Sequence, residues 1–553
     1  MQKLDIEKTM RIRFLIKLAV VVSVVLLCTG FGMYSLFRLN ATAHNRDFDL
    51  YQLVPQDAVA VLETDKMAEF ISDINNLKCS KNNHFLYVSD IFVFLKKNLH
   101  TLQDSAPHGL SSQMNKMLLS FHEPDNPENQ ILYCSLGSGD YKMIESLIKK
   151  SCSDNFPQKE FEYKGEEIKI YPLSDGRFLA TYITSDFLIV SFQKHLIEKV
   201  IDTRSSKLSL GNLSSFKQVH KHQNTNVEAR IYVRMKAVEM GKKSTNLLSK
   251  ARLGSWSEFD LKLNHNAIYC SGISYDSDST HTFANLLRHQ KPIEGFPGNS
   301  LPESTFFLDS WAASDMEALM DYRFRQDRDT VLHRLEDTLR LNKGFIRFFR
   351  EHAGDRIVSS LFHSKDSLEN TPCAIINIPL KDEVHAEKDL RLLLDTLYLK
   401  VKKGGSLYSS VEHRRKSYIL GFSCYVLPRN VLLKQLTGIA NPEEKTYSCF
   451  YKGNLLIAPD ERSLSAYIEL MEQKRTLSKS EQYEEMTGSL SSSYNFMMMA
   501  DMEKLLAQPE AYVRLVPNFF FRQDKFFRHF IFSVQFVYSS GIVYSNIVLL
   551  YKG

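Results

Sequence analysis

Two stretches of the chain alternate apolar and polar residues with a period of two, turn, and alternate again. Phe259-Asp260-Leu261-Lys262-Leu263 turns at Asn264-His265-Asn266 and returns as Ile268 to Ile273. Phe532-Ser533-Val534-Gln535-Phe536 turns near Ser539-Ser540-Gly541 and returns as Ile542 to Ile547. This pattern predicts β-hairpins with one buried face, because successive side chains of a strand point to opposite sides. Elsewhere the pattern changes. Phe187-Leu188-Ile189-Val190-Ser191 is a short apolar run, followed by Leu196, Val200 and Ile201 at helical spacing. Leu455-Leu456-Ile457-Ala458-Pro459 is followed in the same way by Leu464, Tyr467 and Ile468. Each predicts a buried strand leading into an amphipathic helix. Apolar faces also predict helices near Tyr87–Asp104 and Leu110–Phe121.

These matches fall in one order. Leu53-Val54-Pro55-Gln56-Asp57-Ala58 and Leu301-Pro302-Glu303-Ser304-Thr305 each feed a short strand through a proline turn. The strand-helix pair follows, then Leu208 with Ser214-Ser215-Phe216 against Leu477 with Glu481-Gln482-Tyr483. Ile231 to Met235 parallels Met498 to Met502, and the hairpins close each half. Ordered self-similarity of this kind predicts an internal duplication, with two unrelated α+β domains as the alternative. The Pro- and Gly-rich stretch around His289–Asn299 reads as a linker. The boundaries expected are 51–286 for the first domain, 287–300 for the linker and 301–553 for the second domain.

One segment fits neither half. Leu18 to Phe37 holds twenty residues without a charge. At 1.5 Å per residue it would span roughly 30 Å of hydrocarbon. Lys3, Lys8, Arg11, Arg13 and Lys17 precede it and Arg38 follows. The positive-inside tendency then predicts a cytoplasmic N-terminus at 1–17, a transmembrane helix at 18–37, a stalk at 38–50 and an exported bulk. Cleavage after Ala41-Thr42-Ala43 is the alternative. The expected fold is thus α+β: an N-terminal transmembrane helix followed by two similar domains, each a mostly antiparallel sheet with packed helices.

Charge adds little to this. The net charge is +5, and residues 1–38 hold six cations against two acids, so the remainder is nearly neutral. No basic domain face is implied, and no nucleic-acid partner is expected. Seven cysteines lie outside the apolar segment, with no close pair and no regular spacing. Metal and redox motifs need close pairs, so no metal and no cofactor is expected, while one or two disulfides stay open.

The Leu53–Val59 opening, Gly176-Arg177-Phe178-Leu179, Phe187–Ser191 and the leucine-bearing helix after it resemble a bacterial envelope family, domain of unknown function 3352, in a duplicated, Bacteroidota-like form. The resemblance implies an exported region behind an N-terminal membrane helix, on the periplasmic side. It implies no activity and no catalytic residues.

No nucleophile elbow, zinc-helix, phosphate-loop or kinase motif occurs, so no catalytic, cofactor-binding or metal residue is assigned. Gly137-Ser138-Gly139-Asp140 reads as a strand-to-helix turn. His220-Lys221-His222 reads as a solvated loop, and His122-Glu123 as an exposed turn. Phe345–Arg350 and Phe519–Phe530 read as helix cores whose arginines reach solvent, with a lipid or partner surface as the alternative. His413-Arg414-Arg415-Lys416 reads as a hairpin edge or loop. The function expected is a membrane-anchored, periplasmic, non-catalytic protein of the bacterial inner membrane that binds or scaffolds an envelope partner. A lipid- or lipoprotein-handling module and a periplasmic enzyme without a recognisable motif are the alternatives.

Overall fold

The computed structural model describes residues 48–81, 116–122, 128–137, 141, 144, 157–220, 227–234, 255–275, 283–319, 336–364, 372–404, 417–427 and 446–553, apart from 174–175, 317, 513–514 and 517. The first half contributes β1 (Ala60–Thr64), β2 (Met117–Phe121), β3 (Gln130–Ser135), β4 (Lys159–Tyr163), β5 (Glu166–Pro172), β6 (Phe178–Ile183), β7 (Phe187–Ser191), β8 (Ala229–Arg234), β9 (Trp256–Asn264) and β10 (Ala267–Tyr275). After β11 (Ile293–Glu294), the second half contributes β12 (Thr305–Ala312), β13 (Arg356–Phe362), β14 (Cys373–Pro379), β15 (Ser417–Ile419), β16 (Phe422–Leu427), β17 (Thr446–Tyr451) and β18 (Asn454–Ala458). It ends with β19 (Ser493–Tyr494), β20 (Phe496–Asp501), β21 (Phe530–Ser539) and β22 (Ile542–Tyr551).

In the first half the strands lie in the order β4-β5-β6-β7-β3-β2-β1-β8-β9-β10, every neighbour antiparallel. In the second half the order is β15-β16-β17-β18-β14-β13-β12-β20-β21-β22, again antiparallel throughout. The two pairing schemes are the same, strand for strand. Small features recur with them. Leu210 N donates to Val54 O and Leu477 N to Leu301 O. The turns Lys164-Gly165 and Leu420-Gly421 both hold two residues at positive φ, the form that matches the twist of a two-residue hairpin.

The halves are joined edge to edge. β10 pairs antiparallel with β22, from Ala267 opposite Leu550 to Tyr275 opposite Ile542. Each of these strands starts just after its own hairpin turn, so the seam is symmetric about its middle pair, Ser271 and Asn546. All twenty strands therefore form one sheet.

This corrects the expected architecture. The halves do not carry separate sheets, and the structure gives no support to the transmembrane helix expected before them. Among the described residues no helix is long and apolar enough to cross a membrane, and a large antiparallel sheet dominates. Residues 1–17, Leu18–Phe37 and most of 38–50 lie outside the described residues. The period-two pattern identified the last strands as hairpin arms but says nothing about what pairs with their free edges, and that edge is where the halves meet. A second correction concerns Leu110–Phe121. Residues 117–121 form β2, with Met117 and Leu119 packed on one face and Leu118 on the other, so a continuous apolar run imitates a helix segment. Tyr87–Asp104 lies outside the described residues.

One face of the sheet packs a single core through both halves. It takes Phe70 and Ile74 from helix α1 (Met67–Asn76), Phe345, Phe348 and Phe349 from α2 (Glu336–His352), and Ala386 and Leu390 from α3 (Glu383–Gly404). The other face is covered separately in each half. In the first half Leu196, Ile197, Val200 and Ile201 of Lys194–Ser206, with Phe216 and Val219 of Ser214–His220, pack over Tyr133, Ile189 and Tyr232. In the second half Glu461–Glu472 buries Leu464, Tyr467 and Ile468 in the matching place, and Asp460 caps it by accepting from Ser463 N at 2.7 Å.

The Pro- and Gly-rich stretch is built into this frame. Ile293 and Glu294 pair with Tyr494 and Ser493, and Ser300 O accepts from Tyr467 Oη at 2.6 Å. Six cysteines among the described residues are unbridged.

Candidate functional site

The first half buries charge where the second does not. Glu63 on β1, Arg230 on β8 and Glu258 on β9 lie side by side, each about 95% buried. They share the sheet face of Val61, Tyr232 and Trp256, because each is two residues from one of these along its strand. Arg230 Nε lies 2.8 Å from Glu258 Oε1 and 3.1 Å from Asp260 Oδ1. Its Nη1 is 4.0 Å from Glu63 Oε2. Tyr51 Oη donates to that same Glu63 oxygen at 3.1 Å.

An aromatic wall closes one side. His220 ends its helix stacked on Phe216 at 5.3 Å, edge-on to Tyr51 at 4.5 Å, with its Nε2 4.0 Å from Glu63 Oε2. Burial raises the Glu63 carboxyl against the opposing charges of Lys116 and Arg230. Burial likewise pushes Glu258 up to about 7, with Asp260 and Glu63 adding to it and Arg230 opposing. Burial lowers His220, which favours its neutral form, and raises Tyr51 with help from the Glu63 charge. Glu258 Oε2 and His220 Nε2 are buried without a hydrogen-bond partner. Leaving such an atom without a partner costs on the order of 1–3 kcal/mol.

The second half acts as an internal control. Carrying the common strand pairing across, the positions of Glu63, Arg230, Glu258 and Asp260 fall on Ser310, Met497, Ser533 and Gln535. All four are uncharged on an equivalent frame. The fold therefore does not require the ionised cluster.

A second polar group sits at the other end of β1. Asp57 Oδ1 lies 3.4 Å from His122 Nδ1, and His122 Nε2 is 2.9 Å from Ser120 Oγ, which is 3.2 Å from Tyr133 Oη. Lys199 also pairs with Asp57. The connectivity resembles a nucleophile-base-acid relay, but Ser120 has no exposed surface and Tyr133 occupies the approach to its hydroxyl. As arranged, it cross-braces β2, β3 and the start of β1.

The residues singled out in the sequence are placed as follows. His122 is buried in the group just described, not on an exposed turn, while Glu123 lies outside the described residues. His220 is in the aromatic wall, not in a solvated loop, whereas Lys221 and His222 lie outside. Ser138, Gly139, Asp140 and His413-Arg414-Arg415-Lys416 also lie outside. Phe345, Phe348 and Phe349 are core, with Arg347 directed outward to Glu351 at 3.0 Å. Phe520, Phe526, Phe527 and Phe530 are core, with Arg528 paired to Asp524 at 2.6 Å. Glu351, His352 and Asp389 bring ligand-type atoms within 4.8 Å of one another. His352 Nε2 is already 2.9 Å from Asp389 Oδ2, and Glu351 holds Arg347, so the group reads as an ion-paired clasp between α2 and α3.

No curated protein matches the chain. Among solved structures it is similar to TP0453 in two crystal forms, at 14% and 13% identity with TM-scores of 0.26 and 0.27. Each match covers 45% of this chain, and 91% and 88% of the solved chain respectively. Residues 117–301, from β2 to the start of the second half, match the model of a family described as Protein of unknown function (DUF3352). The Gly176–Leu179 and Phe187–Ser191 motifs fall inside the match, and the Leu53–Val59 opening falls outside it.

Proposed function

We propose that this is an exported, non-catalytic envelope protein that arose by duplication of a ten-stranded unit, in which the first half binds a partner and the fused sheet serves as a rigid scaffold. One observation carries the reading: two equivalent frames exist, and at matched positions the first buries Glu63, Arg230 and Glu258 where the second has Ser310, Met497 and Ser533. Maintaining ionised groups in an apolar interior costs several kcal/mol per ion unless they are paired. The second half offers a neutral solution to the same packing problem, so retention in the first half points to use. The cluster sets three carboxylates against one guanidinium, which suits a cationic or hydrogen-bond-donating group. Export is supported by the charge pattern of the sequence, where five cations precede the apolar run from Leu18 to Phe37.

The test transplants the second half's residues into the first. The full chain and its Glu63→Ser, Arg230→Met, Glu258→Ser, Asp260→Gln variant are cross-linked in cells and recovered from envelope extracts. The variant is expected to fold and to lose the partner bound by the parent. Recovery of the same partners by both proteins refutes a binding role for the cluster. A co-purifying lipid in place of a protein would move the reading to lipid handling. A C-terminal alkaline phosphatase fusion tests export, because that enzyme matures only outside the reducing cytoplasm.

A further inference from the structure

β16 and β17 are antiparallel neighbours, and their register sets Cys424 directly opposite Cys449. Opposed residues on adjacent strands project to the same side, with Cβ atoms about 4.5–5.5 Å apart. A disulfide needs about 3.5–4.5 Å, so a small local adjustment brings the sulfurs into range. Both side chains are buried in one apolar cluster with Phe362, Ile375, Tyr451 and Leu456. Cys424 Sγ donates to Phe422 O at 3.5 Å and Cys449 Sγ to Phe450 O at 3.9 Å, so neither thiol is held by a side chain outside the pair. Cys373 belongs to the same cluster but lies opposite Phe362 of β13, not opposite a cysteine. Cys79 and Cys134 pack in the core on the opposite face of the sheet. In the first half the corresponding strands β5 and β6 hold no cysteine.

We propose that Cys424 and Cys449 are a disulfide-forming pair that covalently ties β16 to β17 near the outer end of the second half. In the cell this rests on the export reading, since an oxidising compartment is needed to keep the bond. The oxidant is a disulfide, either glutathione disulfide or that of a dithiol–disulfide oxidoreductase. The Cys424 thiolate attacks one sulfur of that disulfide and expels the other as a thiolate, leaving a mixed disulfide on Cys424. The Cys449 thiolate then attacks the Cys424 sulfur, forms the Sγ–Sγ bond and expels the second thiolate. Two protein thiols lose two protons and two electrons, and the external disulfide becomes two thiols. The juxtaposition of the two thiols lowers that of Cys424 and raises that of Cys449, so Cys424 is the first attacker. Access comes by fraying of β15, which is three residues long and terminates the sheet among the described residues.

The test oxidises the purified, reduced full chain with glutathione disulfide, unfolds it, alkylates the remaining thiols and digests with trypsin without reduction. The expected result is one linked pair, residues 417–429 joined to 446–452, lighter by two hydrogens than the separate peptides. Reactive thiols should fall from eight to six, given the eight cysteines of the chain. Cys373→Ser should leave the link intact, and Cys424→Ser or Cys449→Ser should abolish it. Both peptides recovered alkylated and unlinked, or a link through Cys373, overturns the proposal. Acid-trapping the protein directly from cells separates the two readings. A link formed in the purified protein but absent in cells sinks the export reading and leaves the pairing standing.

Discussion

Arg230→Met removes the only guanidinium in the buried cluster and installs the residue found at the matching position of the second half. Glu258 then loses a 2.8 Å partner while about 95% buried. Stranding one member of a buried ion pair costs about 3–5 kcal/mol. Asp260 is about one-third exposed, so its share is mostly screened and adds little. The cost depends on pH with a definite sign. The Glu258 carboxyl sits at about 7 in the fold against an ordinary 4.5, so the folded protein binds this proton more tightly than the unfolded chain. Stability from this group is therefore present at low pH and lost as pH rises from 4.5 through about 7, roughly 3 kcal/mol across the window. Without Arg230 the carboxyl rises further, and the loss continues above pH 7. The substitution should thus cost about 3–5 kcal/mol at pH 8 and only about 1–2 kcal/mol at pH 6, where Glu258 is largely neutral with or without its partner. The chain has two tryptophans, and Trp256 lies on β9 beside the cluster. Guanidinium unfolding followed by Trp256 fluorescence in a Trp311→Phe background reads this half alone. Equal destabilisation at the two pH values would refute the electrostatic account. The fourfold variant, which leaves no charge stranded, should recover to within about 1 kcal/mol of the parent.

Two further outcomes follow from the packing. A Cβ at Gly272 would lie 2.3 Å from the Phe259 ring and 2.7 Å from Glu258 O, so Gly272→Ala should cost about 1–3 kcal/mol by overpacking, read as a lowered thermal midpoint. An unchanged midpoint would show that β9 and β10 separate more easily than their register implies. At Asp57, hydrogen bonds from His122 and Lys199 overcome burial and hold the carboxyl well below its ordinary value. That stabilisation is present above pH 3.8 and is lost as pH falls through the lowered folded value, so Asp57→Asn should flatten the acid limb of the unfolding profile. An unaltered acid limb would remove the bracing role given to this pair.

The parts of the fold legible in the chain were those with local periodicity. Phe259–Leu263 and Phe532–Phe536 alternate cleanly, and both became hairpin arms. Phe187–Ser191 with the helix behind it was legible for the same reason. The seam was not, since edge pairing leaves no mark on the pattern of a single strand. Met498 to Met502 reads as a strand running into a helix start, and β20 ends at Asp501 with a helix opening at Met502. The cluster leaves no local motif, because Glu63 and Glu258 are far apart in sequence and meet only through β1-β8-β9 pairing. A signal did exist. Trp256 falls in phase with Glu258, Asp260 and Lys262, the polar side of the alternation, so a large apolar residue marks that side as covered at its start, and a charge beside it asks for a partner. His220 likewise lies four residues after Phe216 on the inward face of its helix.

The symmetric seam has a consequence for the chain as a matter of mass action. A strand pair centred on Ser271 and Asn546 is the geometry two identical subunits would adopt about a twofold axis. Joining the subunits in one polypeptide replaces a concentration-dependent association with an intramolecular one, whose effective concentration is set by the connection and not by expression level. It also releases the halves from sequence identity, so a buried charge cluster can stand on one side of the axis and the opposed Cys424 and Cys449 on the other. The corollary is a liability. A chain severed between the halves would expose β10 as an open nine-residue edge that is complementary to a second copy of itself.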